Sequence, residues 1–363
     1  MIKVGMLTSG GDCQALNAAM RGVALGLLGS GCKVEIYGFK NGYKGLINED
    51  YSSMCLEDFE DILDKGGTIL GTSRMPFKYI ELPDENGKDK IDSMVRTYNK
   101  IGLNCLVVLG GNGSHKTANL LMEKGLNIIT LPKTIDNDIA GTDVSFGFYS
   151  AVEVATGVLE NIKTTAQSHG RVFVVELMGH KAGWMTLYAG IAASADMILI
   201  PEIPYDFDVV VEDVRKKLKS GKGSVIIAAA EGIISNEEAL MTKKERKEKR
   251  KKEKVVSAAQ ALAAKLEESI GSEVRVTIPG HIQRGGQPCA YDKVLATRLG
   301  ARAARMIIEE EYGYMVSFTA GKIDKVLLGK VAGKLKLVDP DSEIVSQARM
   351  TGISFGDYSK EEK

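Results

Sequence analysis

The chain has 363 residues, enough for one large or two ordinary domains, and its 44% apolar and 26% charged content is that of a globular protein. Its 47 basic and 47 acidic side chains cancel, so nothing in the balance asks for nucleic acid or an anionic membrane as a partner. The longest apolar stretches, such as 224–230, are too short to cross a bilayer. Cysteines 13, 32, 55, 105 and 289 show no CxxC spacing, and the first residues enter an apolar run without a signal-peptide pattern. A cytoplasmic location with reduced thiols is therefore expected.

In chain order, short β-branched runs at 2–7, 33–39, 105–109, 127–131, 172–177, 197–200, 224–230 and 273–278 predict strands. Helical patterns lie between them at 15–28, 115–124, 150–167, 182–193, 209–218 and 258–270. Such alternation predicts an α/β protein whose parallel sheets are covered by helices on both faces. So many strands divide most simply into two Rossmann-like units, with the break near 139–150. No repeat of solenoid spacing is present.

Glycine-rich loops follow these strands. Thr8-Ser9-Gly10-Gly11-Asp12 separates the first strand from the first helix, and Gly110-Gly111-Asn112-Gly113-Ser114 repeats the arrangement after the strand at 105–109. Glycine lets the backbone approach a phosphate, and a helix N-terminus offers unpaired N–H groups and partial positive charge. Neither loop is a GxGxxG or Walker pattern; His115 stands where the latter needs glycine. A third turn, Pro132-Lys133-Thr134-Ile135-Asp136-Asn137-Asp138, gathers oxygen-bearing side chains after the strand at 127–131. Asp, Asn and Thr also favour plain turns. Three such segments at strand ends point instead to a phosphate-handling site.

A second set of residues is basic. His281 and Arg284 lie in the glycine-bounded segment 280–286, Arg275 on the strand before it, His180 in 178–184, and Arg171 ahead of the strand at 172–177. Arginine forks match phosphate oxygens, which suits the anionic end of a sugar phosphate. Glu231, ending the strand at 224–230, suits sugar hydroxyls. Residues 243–254 hold nine basic and three acidic side chains, and read as a solvated helical insertion.

These residues resemble the 6-phosphofructokinase family. The matching motifs are Leu-Thr-Ser-Gly-Gly-Asp (7–12), Gly-Gly-Thr-Ile-Leu-Gly-Thr-Ser-Arg (66–74), Gly-Gly-Asn-Gly-Ser (110–114), Pro-Lys-Thr-Ile-Asp-Asn-Asp (132–138), Glu-Leu-Met-Gly (176–179) and Pro-Gly-His-Ile-Gln-Arg-Gly-Gly (279–286). They fall in family order over about residues 1–305.

The resemblance implies a larger donor-binding domain of 1–147 with about 283–333. A smaller sugar-phosphate domain of 148–282 with about 334–363 would carry a basic insertion at 241–255. It implies phosphoryl transfer to the 1-hydroxyl of fructose 6-phosphate in glycolysis, with Mg2+ and with Asp136 as general base. Thr134, Lys133 and His180 would steady the moving phosphoryl group, and Asp138 would support substrate and metal. Gly11, Tyr43, Arg74, Gly111, Asn112, Gly113 and Ser114 would hold the donor. Met178, Gly179, Glu231, His281 and Arg284 would hold the sugar phosphate. Arg171 and Arg275 would reach it from a neighbouring subunit, which implies a homo-oligomer, a tetramer or a dimer.

Two departures stand out. Asn112 replaces the family's usual carboxylate near the metal, so metal holding is expected to be weaker or water-mediated, and His180 replaces an arginine. Glycine at 113 goes with ATP, whereas Lys133 is typical of pyrophosphate users; the room left by Gly113 favours ATP. Arg21, Lys163 and Lys222 match effector-binding positions, but Leu25 replaces another basic residue there, so an effector response is not expected intact. Alternatives are a pyrophosphate-dependent enzyme, an enzyme acting on sedoheptulose 7-phosphate, a catalytically weak nucleotide sensor, or an NAD or lipid kinase. The last would share only the 110–113 loop.

Overall fold

The computed structural model describes residues 1–84, 87–253 and 255–358, with the backbone alone of Lys222. Lys254 of the basic run and residues 359–363 of the expected smaller domain lie outside the described residues, as does the Lys222 side chain. The chain divides into two compact units: Met1–Ala151 with Arg284–Lys336, and Val152–Gln283 with the residues from Leu337 on. The helix Phe148–His169 carries the chain from one into the other.

The first unit holds a seven-stranded sheet in the order β11-β10-β5-β4-β1-β2-β3. Its strands are β1 (Ile2–Ser9), β2 (Val34–Phe39), β3 (Tyr51–Met54), β4 (Cys105–Gly110), β5 (Ile128–Pro132), β10 (Tyr314–Thr319) and β11 (Lys322–Leu327). The middle strands run parallel, and the two edges, β3 and β11, antiparallel. Leu106, Val107 and Val108 of β4 are fully buried, which is why that strand reads as an unbroken apolar run rather than an alternating one.

The helices Leu16–Leu28 and Ala290–Ile308 pack in this unit at backbone contact distance. A methyl group on Gly22 would meet Thr297 O at 2.6 Å, and one on Gly300 would meet Ala19 O at 2.4 Å, so glycine at both positions permits the approach.

The second unit has a parallel sheet in the order β7-β8-β6-β9. Its strands are β6 (Val172–Leu177), β7 (Met197–Leu199), β8 (Val225–Ala230) and β9 (Val274–Thr277). Val174, Leu199, Ile227 and Leu262 centre a core of its own.

All eight strands read from the sequence are present. Beyond the expected elements stand β3, β10 and β11 and further helices, among them Tyr43–Asn48, Lys90–Ile101, Ala290–Ile308 and Glu343–Met350. One shifted boundary bears on the site: the helix expected from His115 begins at Asn112, so Gly113 and Ser114 form its first turn.

Candidate active site

Strands β1, β4 and β5 are neighbours in parallel register, with Ser9 opposite Gly110 and Gly110 opposite Pro132. The loops at 10–12, 111–114 and 133–138 therefore leave the same edge of the sheet side by side. From β1 the sheet extends through β2 in one direction and through β4 and β5 in the other. This is a strand-order reversal of the kind at which open α/β sheets bind ligands.

Every carbonyl of the first loop is claimed by a donor. Thr72 Oγ1 bonds Gly10 O at 2.8 Å, the Lys133 ammonium bonds Gly11 O closely, and Arg284 Nη1 bonds Asp12 O at 2.9 Å. In a trans peptide the N–H points opposite to the C=O. Fixing three successive carbonyls thus turns the N–H groups of Gly11, Asp12 and Cys13 the other way, as an anion cradle requires. A methyl group on Gly11 would stand 2.5 Å from Arg284 Nη1, so glycine there admits the guanidinium.

Arg284, expected on the sugar phosphate, is thus found on the loop expected to hold the donor. The reason is topological: the chain re-enters the first unit at Arg284, and Gln14 Nε2 bonds the adjacent Gly285 O at 3.0 Å. Arg284 Nε is buried without a partner.

The helix Asn112–Glu123 has Gly111 as its N-cap and no side-chain cap, leaving its first N–H groups to a ligand or solvent. A methyl group on Gly113 would meet nothing within 4 Å. Tyr43 lies beneath this turn: it is 1% exposed and its hydroxyl donates to Ser114 O at 2.8 Å. It supports the helix start and is not itself a surface for the donor. Arg74 is exposed.

Asn112, expected as a metal ligand, is committed elsewhere. Its Oδ1 accepts from Gly333 N at 2.7 Å and its Nδ2 donates to Lys334 O at 3.0 Å. The amide pins the 333–334 turn, which makes it a poor first choice for a cation. No cluster of three or more His, Cys, Asp or Glu able to hold a metal occurs among the described residues. Carboxylates on two of these loops, Asp12 and Asp136, are of the ligand type that Mg2+ ordinarily takes, one or two together with substrate phosphates.

In the third loop Asp136 N donates to Thr134 Oγ1 at 3.1 Å, closing a tight turn, and Ser145 Oγ donates to Thr134 O at 2.9 Å. Asn137 sits at φ 52°, a conformation asparagine tolerates better than most residues. Its Oδ1 accepts from Ser145 N at 3.0 Å and from Lys336 Nζ at 3.1 Å. Lys336 also donates to Thr142 O at 3.0 Å and Asp143 O at 2.6 Å, while its backbone N–H bonds Asp138 O at 2.8 Å. Burial brings its ammonium down to about 8, against the pull of Asp143 and Asp138. Lys336 was missed in the sequence because it belongs to no motif; only its contacts mark it.

Lys133 is 3% exposed. Burial lowers its affinity for a proton; Cys13, Asp136 and Asp12 raise it, and Arg284 lowers it further. Lys133 thus lies within electrostatic reach of Asp12 and Arg284 at the first loop and of Asp136 in its own. His115, just inside the helix, is pushed down to about 4 by burial, with the Leu131 backbone and Lys133 as lesser influences. Neither of its ring nitrogens has a well-formed hydrogen bond.

In the second unit the loops at the carboxyl ends of β6 and β8 are joined. His180 N donates to Glu231 Oε1 at 2.7 Å, and Glu231 N to Leu177 O at 2.8 Å. Gly179 has φ 148°, and a methyl group there would meet Ala182 O at 2.6 Å; His180 follows at φ 54°. Gln283, fully buried, accepts from Met178 N at 3.2 Å and donates to Gly280 O at 3.0 Å. It ties the loop of Met178 to that of His281, a role the sequence did not announce.

Arg171 and Arg275 are not with these residues. Arg171 precedes β6 and lies about 20 Å from the strand's carboxyl end, and Arg275 pairs opposite Phe173, about 13 Å from that end, at ~3.3 Å per residue. Both guanidinium groups bind Glu273, Arg171 through Nε at 2.5 Å.

Two α/β units, one presenting three fixed loops of phosphate-cradling form and the other a tied set of polar loops, define a phosphate-handling protein. The family model described as phosphofructokinase matches residues 3–307. The chain is 50% identical over 356 residues to the ATP-dependent 6-phosphofructokinase of Spirochaeta thermophila, covering 97% of each chain. It is 39% identical to the pyrophosphate–fructose 6-phosphate 1-phosphotransferase of Amycolatopsis methanolica, over 94% of this chain and 97% of that one. The phosphofructokinase structure from Saccharomyces cerevisiae superposes with a TM-score of 0.79 at 30% identity, covering 91% of this chain and 45% of the yeast chain. The chain belongs to the phosphofructokinase family, as its motifs led us to expect. No helix among the described residues is long and apolar enough to cross a membrane.

Proposed function

We propose that this protein transfers the γ-phosphoryl group of ATP to the 1-hydroxyl of fructose 6-phosphate, giving fructose 1,6-bisphosphate. Near-full-length identity of 50% to an ATP-dependent 6-phosphofructokinase is the observation that carries the reading, and the open space around Gly113 supports a nucleotide as donor.

In this reading the N–H groups of Gly11, Gly111, Gly113 and Ser114 receive donor phosphates, with Arg74 reaching in from the surface. Asp136 takes the proton of the attacking hydroxyl. Thr134 and Lys133 stabilise charge on the peripheral phosphoryl oxygens, where most transition-state charge lies. Asp138, 7% exposed, supports the substrate and metal arrangement, and its backbone oxygen accepts from Lys336 N at 2.8 Å. Asp12 would hold Mg2+ together with the donor phosphates, and the ion would supply further charge neutralisation. Asn112 contributes by fixing the neighbouring turn. Met178, Gly179, Glu231 and His281 orient the sugar, with His180 beside them.

Arg171 and Arg275 complete the 6-phosphate site of a second copy, so the working form is a homo-oligomer, a tetramer or a dimer, acting in the cytoplasm. A coupled assay crossing ATP and pyrophosphate with fructose 6-phosphate and sedoheptulose 7-phosphate tests the reading. Turnover with ATP and fructose 6-phosphate is expected to dominate; a preference for pyrophosphate, or turnover only with the seven-carbon sugar, would replace it.

A further inference from the structure

The basic run forms the helix Lys243–Lys252, and its charges are not scattered. Thr242 and Glu245 close a capping box at its start. Arg250 binds Glu238 through two hydrogen bonds of 2.7 Å and donates to Ile233 O at 2.7 Å, fastening the helix to the second unit. A cavity of about 680 Å³ lies along one side of it. Its walls are Lys243, Arg246, Lys247, Arg250 and Lys251 from the helix, and His180, Lys181 and Gly232 from the loops after β6 and β8.

Residues four apart share a helix face. On the cavity side the pairs Lys243–Lys247, Lys247–Lys251 and Arg246–Arg250 all bring like charges together. The remaining pairs, Lys244–Glu248, Glu245–Lys249 and Glu248–Lys252, all bring opposite charges together. A helix shaped only for solubility would mix signs on every face. This one places its complementary pairs away from the cavity and concentrates uncompensated charge toward it. No carboxylate lines the cavity, and of the helix cations on its wall only Arg250 is in an ion pair among the described residues. Arg246 Nε is buried and makes no hydrogen bond.

The geometry points to a second anion site: the cavity binds a small molecule carrying two or more phosphoryl groups, a nucleoside polyphosphate or an inorganic one. Its volume falls within the range of small-molecule pockets, and closely spaced ammonium and guanidinium groups suit several phosphoryl oxygens better than a single carboxylate. Among the residues expected to meet the sugar or the moving phosphoryl group, His180 alone lines the cavity. Occupancy is therefore transmitted through the His180–Glu231 hydrogen bond to the sugar loops; this second part rests on the function proposed above, whereas the binding does not.

Calorimetric titration of the full chain with inorganic tripolyphosphate, and separately with ATP, tests the binding. The comparison variant carries Lys243→Gln, Arg246→Gln and Lys247→Gln, three exposed or half-exposed positions. The parent is expected to bind one equivalent more per chain than the variant, at least about tenfold more weakly in roughly 1 M than in 0.1 M salt. Unchanged melting temperature and unchanged kcat at saturating substrates would show that the variant is folded and its donor site intact. An equivalent titrated by ATP but not by tripolyphosphate identifies a nucleoside ligand; one titrated by both identifies the phosphate chain itself. Equal stoichiometry in parent and variant would overturn the proposal, as would binding of a short RNA that depends on the same three residues and excludes tripolyphosphate. Loss of the extra equivalent without a change in KM for fructose 6-phosphate would overturn the transmission alone.

Discussion

The ammonium of Lys336 stands 3.1 Å from Asn137 Oδ1, at the centre of the turn that carries Thr134, Asp136 and Asp138. With Thr142 O and Asp143 O it has three acceptors for its three protons. A neutral amine has only two to give. Folding and function therefore respond oppositely to its titration. Burial sets its folded pKa near 8, below the ordinary 10.5; the charge is disfavoured in the folded chain, so this group alone makes stability rise between pH 8 and 10.5. The turn, however, loosens as the third donor is lost. We expect kcat to fall as pH rises through about 8, and Lys336→Met to lower kcat by about ten- to a hundredfold and remove that alkaline limb. A pH–kcat profile of both proteins checks this; an unaltered limb in the variant would assign it elsewhere.

His115 predicts the acid behaviour. Its folded pKa of about 4, against 6.5, leaves it neutral in the folded chain while the unfolded chain takes up a proton. Stability is complete above pH 6.5 and declines as pH falls towards 4, by about 2–3 kcal/mol from this residue. Urea unfolding at pH 7 and pH 4.5 should show that loss in the parent and a correspondingly smaller one in His115→Met.

Gly113 tests the donor. Because a side chain there meets nothing within 4 Å, Gly113→Asp should fold normally yet set a carboxylate where donor phosphates are expected. The kcat/KM for ATP should drop by at least about a hundredfold, the cost of placing like charges together in a phosphate site. Unchanged ATP kinetics would remove Gly113 from the donor site.

The separation of Arg171 and Arg275 from the sugar loops makes a prediction about assembly. Arg275→Ala should raise KM for fructose 6-phosphate at least about tenfold, the worth of one charge-assisted phosphate contact. Asp136→Asn should be inactive with normal binding. At fructose 6-phosphate well below the KM of Arg275→Ala, mixed oligomers of the two should regain activity beyond either alone, since one interface then has both residues intact. Failure of the mixture to exceed its parts would place each site within one chain.

Much of this architecture was legible. Buried parallel strands such as β4 and β8 are continuous apolar runs, and glycines cluster where the backbone must turn sharply after them. What was missed has physical reasons. Strand β11 is an edge strand whose Lys322 and Asp324 face outward, so its apolar signal is diluted. The Ala290–Ile308 helix meets Leu16–Leu28 through small residues, which look unremarkable in a sequence. Gln283 and Lys336 act through hydrogen bonds to backbone and amide oxygens far away in the chain, and no local spacing reports such partners. Arg284 was read with its motif neighbours, although the unit boundary falls between Gln283 and Arg284.

In the proposed reaction the Asp136 carboxylate removes the proton from the sugar hydroxyl. Replacing it with asparagine keeps the size and the turn but not the basicity, and steady-state kinetics with ATP and fructose 6-phosphate measures the difference. We expect a kcat lower by about two to four orders of magnitude, with both KM values within about threefold of the parent. A kcat within about tenfold of the parent would contradict it.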